Sequence, residues 1–341
     1  MSVDLSEFDP DASCTADDGW FGLPHTLADA RVAIVSVPWE VTTSYRRGTA
    51  RAPERVLEAS HQVDLFDLEL GDAWKAGFAG VPVHPDIAPL DAAGCADALP
   101  VIEAGGAGED PVLQASLERV NAAGARLNAL VGQQTAEVFD RGAIPALLGG
   151  DHSVPFGAIR EAARRFPGLG VLHLDAHLDL RVAYQGFTWS HASIMGNVLA
   201  HGGLTGPLVT FGVRDFGRAE HRWAQEDPRI HAFPWAQLGA ELVRGTSWDQ
   251  LARPMIDALP EHVWMSFDID GLDPALCPNT GTPVPGGLSW DHLMHVLRLL
   301  RESGRTVVGF DLVEVGDSEW DAIIGARLLY QMGCTAILSQ R

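Results

Sequence analysis

The sequence predicts an α/β protein with a three-layer α/β/α fold and a mainly parallel central sheet. Apolar, strand-like runs recur along the chain, and stretches with a helical repeat separate several of them. The runs are almost continuous in Val, Ile, Leu and Phe, which is typical of strands that are buried on both faces. Of the 341 residues, 46% are apolar and 20% charged, so the chain can form a large core.

Six apolar runs that end in small or polar residues predict strands. They cover residues 31–39, 144–150, 170–175, 208–214, 262–270 and 306–315. The clearest predicted helix spans 112–140, where Leu113, Leu117 and Val120 fall three or four residues apart. A second helix is predicted over 288–301. Strands that alternate with helices in this way favour a parallel sheet.

The chain is predicted to contain an N-terminal extension over 1–30, outside the sheet, and a single α/β domain over 31–341. Within that domain, residues 79–111 contain no Lys or Arg and are rich in Gly, Ala, Pro, Asp and Glu. This composition predicts an irregular surface insertion.

Charge and cysteine content exclude several classes of protein. The 24 basic and 45 acidic side chains give a formal net charge of −21, which is the wrong sign for a nucleic-acid partner. The four cysteines are scattered, which favours a reducing compartment. An acidic N-terminus and the lack of an apolar run of about 18–20 residues predict a cytoplasmic protein without a membrane span.

Acidic and imidazole side chains follow several of the predicted strands, at the point where each strand ends. In open parallel sheets, ligands bind beyond the carboxyl ends of the strands, so we expect these side chains to converge. They are Asp151 and His152 after the second run, Asp175, His177 and Asp179 after the third, Asp268, Asp270 and Asp273 after the fifth, and Glu314 after the last.

The spacing within these clusters predicts a binuclear metal site. Asp175, His177 and Asp179 are separated by two residues each, so in extended chain they point to one face. Buried carboxylates need compensating charge, and the whole chain has a single lysine. Four aspartates with two neutral histidines balance two divalent ions, and mixed carboxylate and imidazole ligation favours manganese, with nickel as the main competitor.

Three of these motifs resemble the signature of the ureohydrolase family, which includes arginases, agmatinases, guanidinobutyrases, formimidoylglutamases and guanidine hydrolases. They are Gly-Gly-Asp-His-Ser at 149–153, Asp-Ala-His-Leu-Asp at 175–179 and Ser-Phe-Asp-Ile-Asp-Gly-Leu-Asp-Pro at 266–274. The resemblance extends from about residue 31 to the C-terminus. It implies an arginase-like fold, commonly assembled as a homotrimer or homohexamer.

The resemblance also implies a role for each site residue. One ion is held by His152, Asp175, Asp179 and Asp268, and the other by Asp175, His177, Asp268 and Asp270, so that Asp175 and Asp268 bridge the two. A hydroxide between the ions, aimed by Asp179, attacks the guanidino carbon and releases urea. Glu314 pairs with the guanidinium, and Asp151 and Asp273 orient ligands. His191 matches the family's proton shuttle, although Ala192 follows it where many members have Gly.

The substrate is less closely defined by the sequence. Trp39, Tyr184, Phe187 and Trp189 are expected to narrow the pocket and stack on a cation, with Trp189 in contact with substrate. This favours a small guanidine, an alkylguanidine or a biguanide-type cation. Packing of the loop alone is the alternative role of these aromatics. Agmatine, guanidinobutyrate or a formimidoyl compound remain open as substrates, and an inactive subunit is disfavoured because all six metal ligands are present.

Overall fold

An eight-stranded sheet runs through the centre of the molecule. The structure is a computed structural model that describes residues 3–15 and 18–340, and within them the strand order is β2-β1-β3-β8-β7-β4-β5-β6, with every pairing parallel. This confirms the predicted sheet. The strands are β1 (Val32–Val37), β2 (Phe78–Val81), β3 (Ile144–Gly149), β4 (Gly170–Leu174), β5 (Leu208–Phe211), β6 (Ile230–Phe233), β7 (His262–Asp268) and β8 (Thr306–Val313).

Ten α-helices in the same residues cover the sheet. They are α1 (Ala52–Ser60), α2 (Ile87–Glu103), α3 (Pro111–Asp140), α4 (Phe156–Arg165), α5 (Ile194–His201), α6 (Arg218–Glu226), α7 (Trp235–Val243), α8 (Trp248–Asp257), α9 (Trp290–Glu302) and α10 (Glu319–Ser339). Residues of α1, α8, α9 and α10 share one apolar core, and those of α3, α4 and α5 share the other. The two cores on opposite faces confirm the three-layer α/β/α class.

Successive residues of a strand contribute their side chains to the two cores in turn. Ile34 packs into the first core and its neighbour Val35 into the second, and Met265 and Trp264 divide in the same way. Successive side chains of a strand point to opposite faces, so a strand between two helical layers must be apolar at every position. This is why the predicted strands lack a polar face.

The helix α10 is long and apolar enough to cross a membrane by length and composition alone. Most of its most apolar stretch is buried inside the fold, where it packs against α1, α9 and β8. It is the core helix of one face of the sheet.

The prediction of an irregular insertion over 79–111 is wrong for most of that segment, because 87–103 form helix α2. Alanines with strong helix propensity occupy much of it, and Pro89 lies in the first turn, where a missing N–H costs nothing. Strands β2 and β6 were not predicted. Both are short strands at the edges of the sheet, where part of the strand is exposed and carries a weaker apolar signal.

The predicted N-terminal extension contributes buried aromatic residues. Phe21 is buried, and its ring centroid lies 5.0 Å from that of Phe78 in β2. Residues 1, 2, 16 and 17 of the extension and residue 341 lie outside the described residues. The division into an extension and one domain stays a prediction.

The four central strands bring their carboxyl ends to one place. In the order β3-β8-β7-β4, Leu174 pairs with Phe267, and Phe267 pairs with Leu312. Residues that follow these positions therefore emerge side by side at the same edge of the sheet, as the strand-end argument requires.

Candidate metal centre

His152 lies at the centre of a buried group of carboxylates. Its Nδ1 is 3.0 Å from Asp175 Oδ2, 3.3 Å from Asp179 Oδ2 and 3.4 Å from Asp268 Oδ2. These four residues come from the ends of β3, β4 and β7, and all are buried. We call them the His152 group.

A second group shares one aspartate with the first. His177 Nδ1 lies 3.2 Å from Asp175 Oδ1 and 3.2 Å from Asp270 Oδ2, and the three residues offer ligand atoms within 4.8 Å of one another. We call them the His177 group. The His177 side chain is 25% exposed, so this group opens towards solvent more widely than the His152 group, whose side chains are all buried.

Asp175 belongs to both groups, with one oxygen towards each histidine. This is the arrangement of a carboxylate that bridges two ions. The described contacts of Asp268 are different: Oδ2 faces His152, and Oδ1 accepts a hydrogen bond of 2.8 Å from the Asp270 amide. The predicted bridging role of Asp268 thus stays a prediction.

The hydrogen bonds of His152 prepare its Nδ1 for a cation. Ser266 Oγ donates to Asp311 Oδ1 at 2.8 Å, so the hydroxyl accepts from His152 Nε2, 3.0 Å away. When the ring is neutral, Nε2 carries the proton and the lone pair lies on Nδ1, among three carboxylates. A lone pair directed at carboxylates is repulsive unless a cation lies between them, so these donors fit a metal ion.

The electrostatics of the pocket also call for positive charge. Burial and the charge of Asp175 raise the pKa of Asp179 to about 7, and burial with the charges of Asp270 and Asp175 raises the pKa of Asp268 well above its usual range. Burial opposes protonation of His152, yet its carboxylate neighbours hold its pKa well above the usual value. Divalent cations supply the missing charge without protonation.

Two site residues have a positive φ, a backbone conformation that residues other than glycine rarely adopt. Asp179 has φ 51° and Glu314 has φ 58°. Such conformations cost about 1–3 kcal/mol each and persist where the surroundings fix them, commonly at functional sites. At Glu314 the backbone N–H donates to Gly150 O at 2.9 Å and Thr280 Oγ1 donates to the Glu314 carbonyl at 2.8 Å.

One carboxylate oxygen of Glu314 accepts a hydrogen bond, and the other has no described partner. The His152 amide donates to Oε1 at 3.0 Å, whereas Oε2 is buried and has no hydrogen-bond partner among the described residues. Burial and the charge of Asp151 raise the pKa of Glu314 well above its usual range. A side chain at Gly281 would bring Cβ within 3.1 Å of Oε2, so glycine keeps this oxygen from being crowded. The free oxygen is suited to a cationic donor.

A cavity of about 480 Å³ opens above the His177 group. Its floor includes His177 and Asp179, and its walls come from loops that follow β1, β4 and β5 and from residues 282–284. The wall residues are Ser44, Tyr45, Arg46, Arg181, Tyr184, His191, Ala192, Asp215, Phe216, Glu220, Thr282, Pro283 and Val284.

His191 lies on the cavity wall and is fixed through Thr42. The His191 amide donates to Thr42 Oγ1 at 3.2 Å, and His191 Nδ1 lies 3.3 Å from the same oxygen. Asp151 Oδ2 in turn accepts from the Thr42 amide and hydroxyl at 3.2 and 3.0 Å. Burial lowers the pKa of His191 to about 4, so the ring is neutral near pH 7. The contacts thus connect Asp151 to His191 through Thr42, and the predicted role of Asp151 in orienting a metal ligand stays a prediction.

Three of the four aromatic residues that were expected at the substrate are not among the residues that line the cavity. Trp39 and Phe187 are buried in the core, and Trp189 packs against Phe156 with ring centroids 4.8 Å apart. Of the four aromatics expected at the substrate, Tyr184 is the one in the described lining. The position of Trp189 does not support direct substrate contact.

The described side-chain hydrogen bond of Asp273 does not involve a candidate ligand. Its Oδ1 accepts from the Ala275 amide at 2.9 Å and closes a turn, so the structure gives no support for a ligand-orienting role.

The sequence reasoning did not identify three residues that support the site. Asp311 and Ser266 fix His152, and Trp264 Nε1 donates to the second Asp311 oxygen at 2.6 Å. A buried aspartate inside an apolar strand was the available signal for Asp311. Arg214, which follows β5, belongs to the same strand-end pattern as the ligands and was not considered.

The fold is shared with a solved enzyme. The crystal structure of agmatine ureohydrolase of Thermoplasma volcanium matches with a TM-score of 0.69 and 22% sequence identity, and covers 94% of this chain and 95% of its own. At that identity the likeness shows the architecture alone. Together with the His/Asp clusters, it defines the class as an α/β protein with a candidate metal site at the carboxyl edge of a parallel sheet.

Sequence comparisons go further than the class. N(1)-aminopropylagmatine ureohydrolase of Thermus thermophilus is 32% identical over 305 residues, covering 89% of each chain. Agmatinase of Bacillus anthracis is 29% identical over 300 residues, covering 85% of each. The profile described as Arginase family matches residues 30–334, and the chain belongs to that family. This confirms the resemblance, and it confirms the predicted class of guanidino C–N hydrolase at the level of the family.

Proposed function

We propose that this protein hydrolyses the C–N bond of a guanidino group and releases urea together with an amine or ammonia. The observation that carries the proposal is the buried, unpartnered Oε2 of Glu314 beside the two His/Asp groups. A delocalised cation with planar donors is the ligand that such a carboxylate binds best. Burial makes the unpaired oxygen costly, so the pocket favours a substrate that brings positive charge.

Two divalent ions would be held by the residues described above. The His152 group holds one, and the His177 group holds the other, with Asp268 assigned to both by the resemblance. When bound, the ions act as Lewis acids and lower the pKa of water towards neutrality. We propose manganese, with nickel as the main competitor, because both accept carboxylate and imidazole ligands.

The side chains of this protein then divide the work of the reaction. Glu314 holds the guanidinium so that its carbon faces the floor of the cavity. Asp179, fixed at φ 51°, accepts a hydrogen bond from the attacking water and orients it. His191 presents a neutral ring that takes up a proton at Nε2 and passes it to the leaving nitrogen, because Thr42 occupies its Nδ1 side.

The cavity favours a substrate with an extended tail. A volume of about 480 Å³ exceeds what a bare guanidinium needs, and Trp39, Phe187 and Trp189 do not narrow it. The compact guanidine that the aromatic loop predicts remains a candidate. Agmatine-like compounds are better supported, and the two relatives described above carry names of that kind. We further propose a cytoplasmic location and a homotrimer or homohexamer, on the resemblance alone.

A panel of guanidino compounds tests the proposal. Protein loaded separately with manganese or nickel is assayed for urea from guanidine, methylguanidine, a biguanide, agmatine, guanidinobutyrate and arginine. We expect urea from at least one of them, and most rapidly from agmatine.

Glu314→Gln, which removes the charge with little change in shape, should keep both ions and lose turnover. Glu58→Gln on the exposed face of α1 is the matched control. Absence of urea across the panel with both ions bound, together with formamide release from a formimidoyl compound, would contradict the proposal.

A further inference from the structure

Arg214 forms an unusual set of hydrogen bonds close to the His177 group. Its Nη2 donates to the backbone carbonyls of Asp270, Leu272 and Val284 at 2.7, 3.1 and 2.9 Å. Its Nη1 donates to those of Gly212 and Gly271 at 2.9 and 3.3 Å, and Nε donates to Val284 O at 3.2 Å. The five donors of one guanidinium are thus used on backbone acceptors from three separate segments.

The backbone of Arg214 is tied to the other metal-ligand segment. Its amide donates to Ala176 O at 2.7 Å, and Ala176 lies between Asp175 and His177. The Ala176 amide donates to Asp270 Oδ1 at 2.9 Å, which joins the two segments directly. Arg214 therefore connects the main-chain segments that carry all three members of the His177 group.

Apart from the shared Asp175, the hydrogen bonds of Arg214 do not extend to the other half of the centre. His152 is fixed by Ser266 and Asp311, and Asp175 Oδ2 is contacted by His173, whose Nδ1 lies 2.9 Å from Thr210 Oγ1. No described carboxylate lies within 4.0 Å of the Arg214 guanidinium, so it is not one arm of an ion pair.

We propose that Arg214 is a positioning residue for one metal site, the site formed by Asp175, His177 and Asp270, and that the His152 site does not depend on it. The inference rests on the proposed binuclear centre. Arg214 acts by fixing the backbone that carries Asp270 in register with the backbone that carries His177.

The charge of Arg214 and its positioning role predict opposite changes in metal affinity when the residue is replaced. This difference makes the inference testable. A guanidinium close to a divalent ion repels it, so a role through charge alone predicts that a neutral residue at 214 tightens metal binding. Loss of the hydrogen bonds frees the Asp270 loop, so the positioning role predicts weaker binding. Removal of an outer partner of a metal ligand commonly lowers metal affinity by about 10–100-fold.

The experiment titrates chelator-treated protein with Mn²⁺ and follows stoichiometry by elemental analysis and coupling between ions by EPR. The variants are Arg214→Gln, which keeps two donors without charge, and Arg214→Lys, which keeps the charge and loses the planar fork. Arg305→Lys is the control, because Arg305 also donates to two backbone carbonyls, Leu259 at 2.8 Å and Asp257 at 3.2 Å, remote from the centre.

We expect two ions in the wild type and in the Arg305 variant. Both Arg214 variants should keep one tightly bound ion, bind the second at least about tenfold more weakly, and lose the EPR signal of coupled ions. Circular dichroism and thermal melting identify variants that fold. If Arg214→Gln does not fold, the titration of Arg214→Lys provides the test.

Three results would overturn the inference in distinguishable ways. Wild-type protein that binds fewer than two ions removes the binuclear centre itself. Two ions bound with unchanged or higher affinity in a folded Arg214 variant remove the positioning role while the centre stands. Equal weakening of both ions in a folded variant shows a general structural role instead.

Discussion

The two halves of the metal centre are supported by different means. The His152 group is buried, and side chains hold it: Ser266 and Asp311 fix the imidazole, and Trp264 fixes Asp311. The His177 group faces the cavity, and it is held through the main chain, by the hydrogen bonds that Arg214 donates to backbone carbonyls. One half is a rigid part of the core, whereas the other can adjust at the substrate side. We therefore expect the His177 half to lose its ion first.

The largest effect should come from the residue that both halves share. Asp175→Ala removes a carboxylate that faces both histidines, so we expect loss of both ions and a fall in urea release of at least about a thousandfold. Elemental analysis and a urea assay check this. Asp273→Ala is the control, because that carboxylate closes a turn outside the centre. Retention of two ions by Asp175→Ala would refute the shared-ligand assignment.

The two histidines should then differ from each other. His152→Ala leaves three aspartates facing one another in the core, and breaking such a buried network costs about 3–5 kcal/mol. His177→Ala should cost much less stability, because that side chain is partly exposed, and should leave one ion per chain. Denaturant unfolding in the presence of chelator compares them. Equal losses of stability would mean that the two halves are not supported differently.

Asp311→Asn tests the support of the buried half alone. The amide keeps the shape but weakens the charge that orients Ser266 and hence His152, so we expect about 10–100-fold lower affinity for one ion. The ion lost should be the one that the Arg214 variants retain. Asp321→Asn, another buried aspartate, which accepts from the Asn279 amide at 3.0 Å, is the matched control. If Asp311→Asn and Arg214→Gln weaken the binding of the same ion, the two halves of the centre are not supported by different residues.

The smallest of these effects concerns His191. Thr42→Val removes the hydroxyl beside Nδ1 without changing shape greatly, so the imidazole is less well oriented. We expect kcat to fall about tenfold, less than the roughly 10²–10⁴-fold that a general acid–base group contributes, because the imidazole itself remains, with KM and metal content nearly unchanged. Steady-state kinetics measures the split. A change in metal content with kcat preserved would show that Thr42 supports the ligands instead of His191.

The sequence was sufficient to bring the candidate ligands together because their positions follow from the sheet topology. His152, Asp175 and Asp268 come at the ends of adjacent buried strands, and parallel strands bring such ends together without further information. Edge strands β2 and β6 and helix α2 were missed because local composition is ambiguous at the surface.

Side-chain direction and backbone acceptors could not be predicted in the same way. Trp39 and Phe187 could face a pocket or a core with the same sequence, and packing decided for the core. Arg214 binds carbonyls up to 70 residues away in the chain, and carbonyls leave no sequence signal because every residue has one.

The count of bound metal ions tests the central claim most directly. Purified protein is stripped with chelator, reconstituted with Mn²⁺, freed of excess metal and measured by elemental analysis against protein concentration. The account predicts two ions per chain, with a coupled EPR signal. At most one ion per chain after full reconstitution would contradict it.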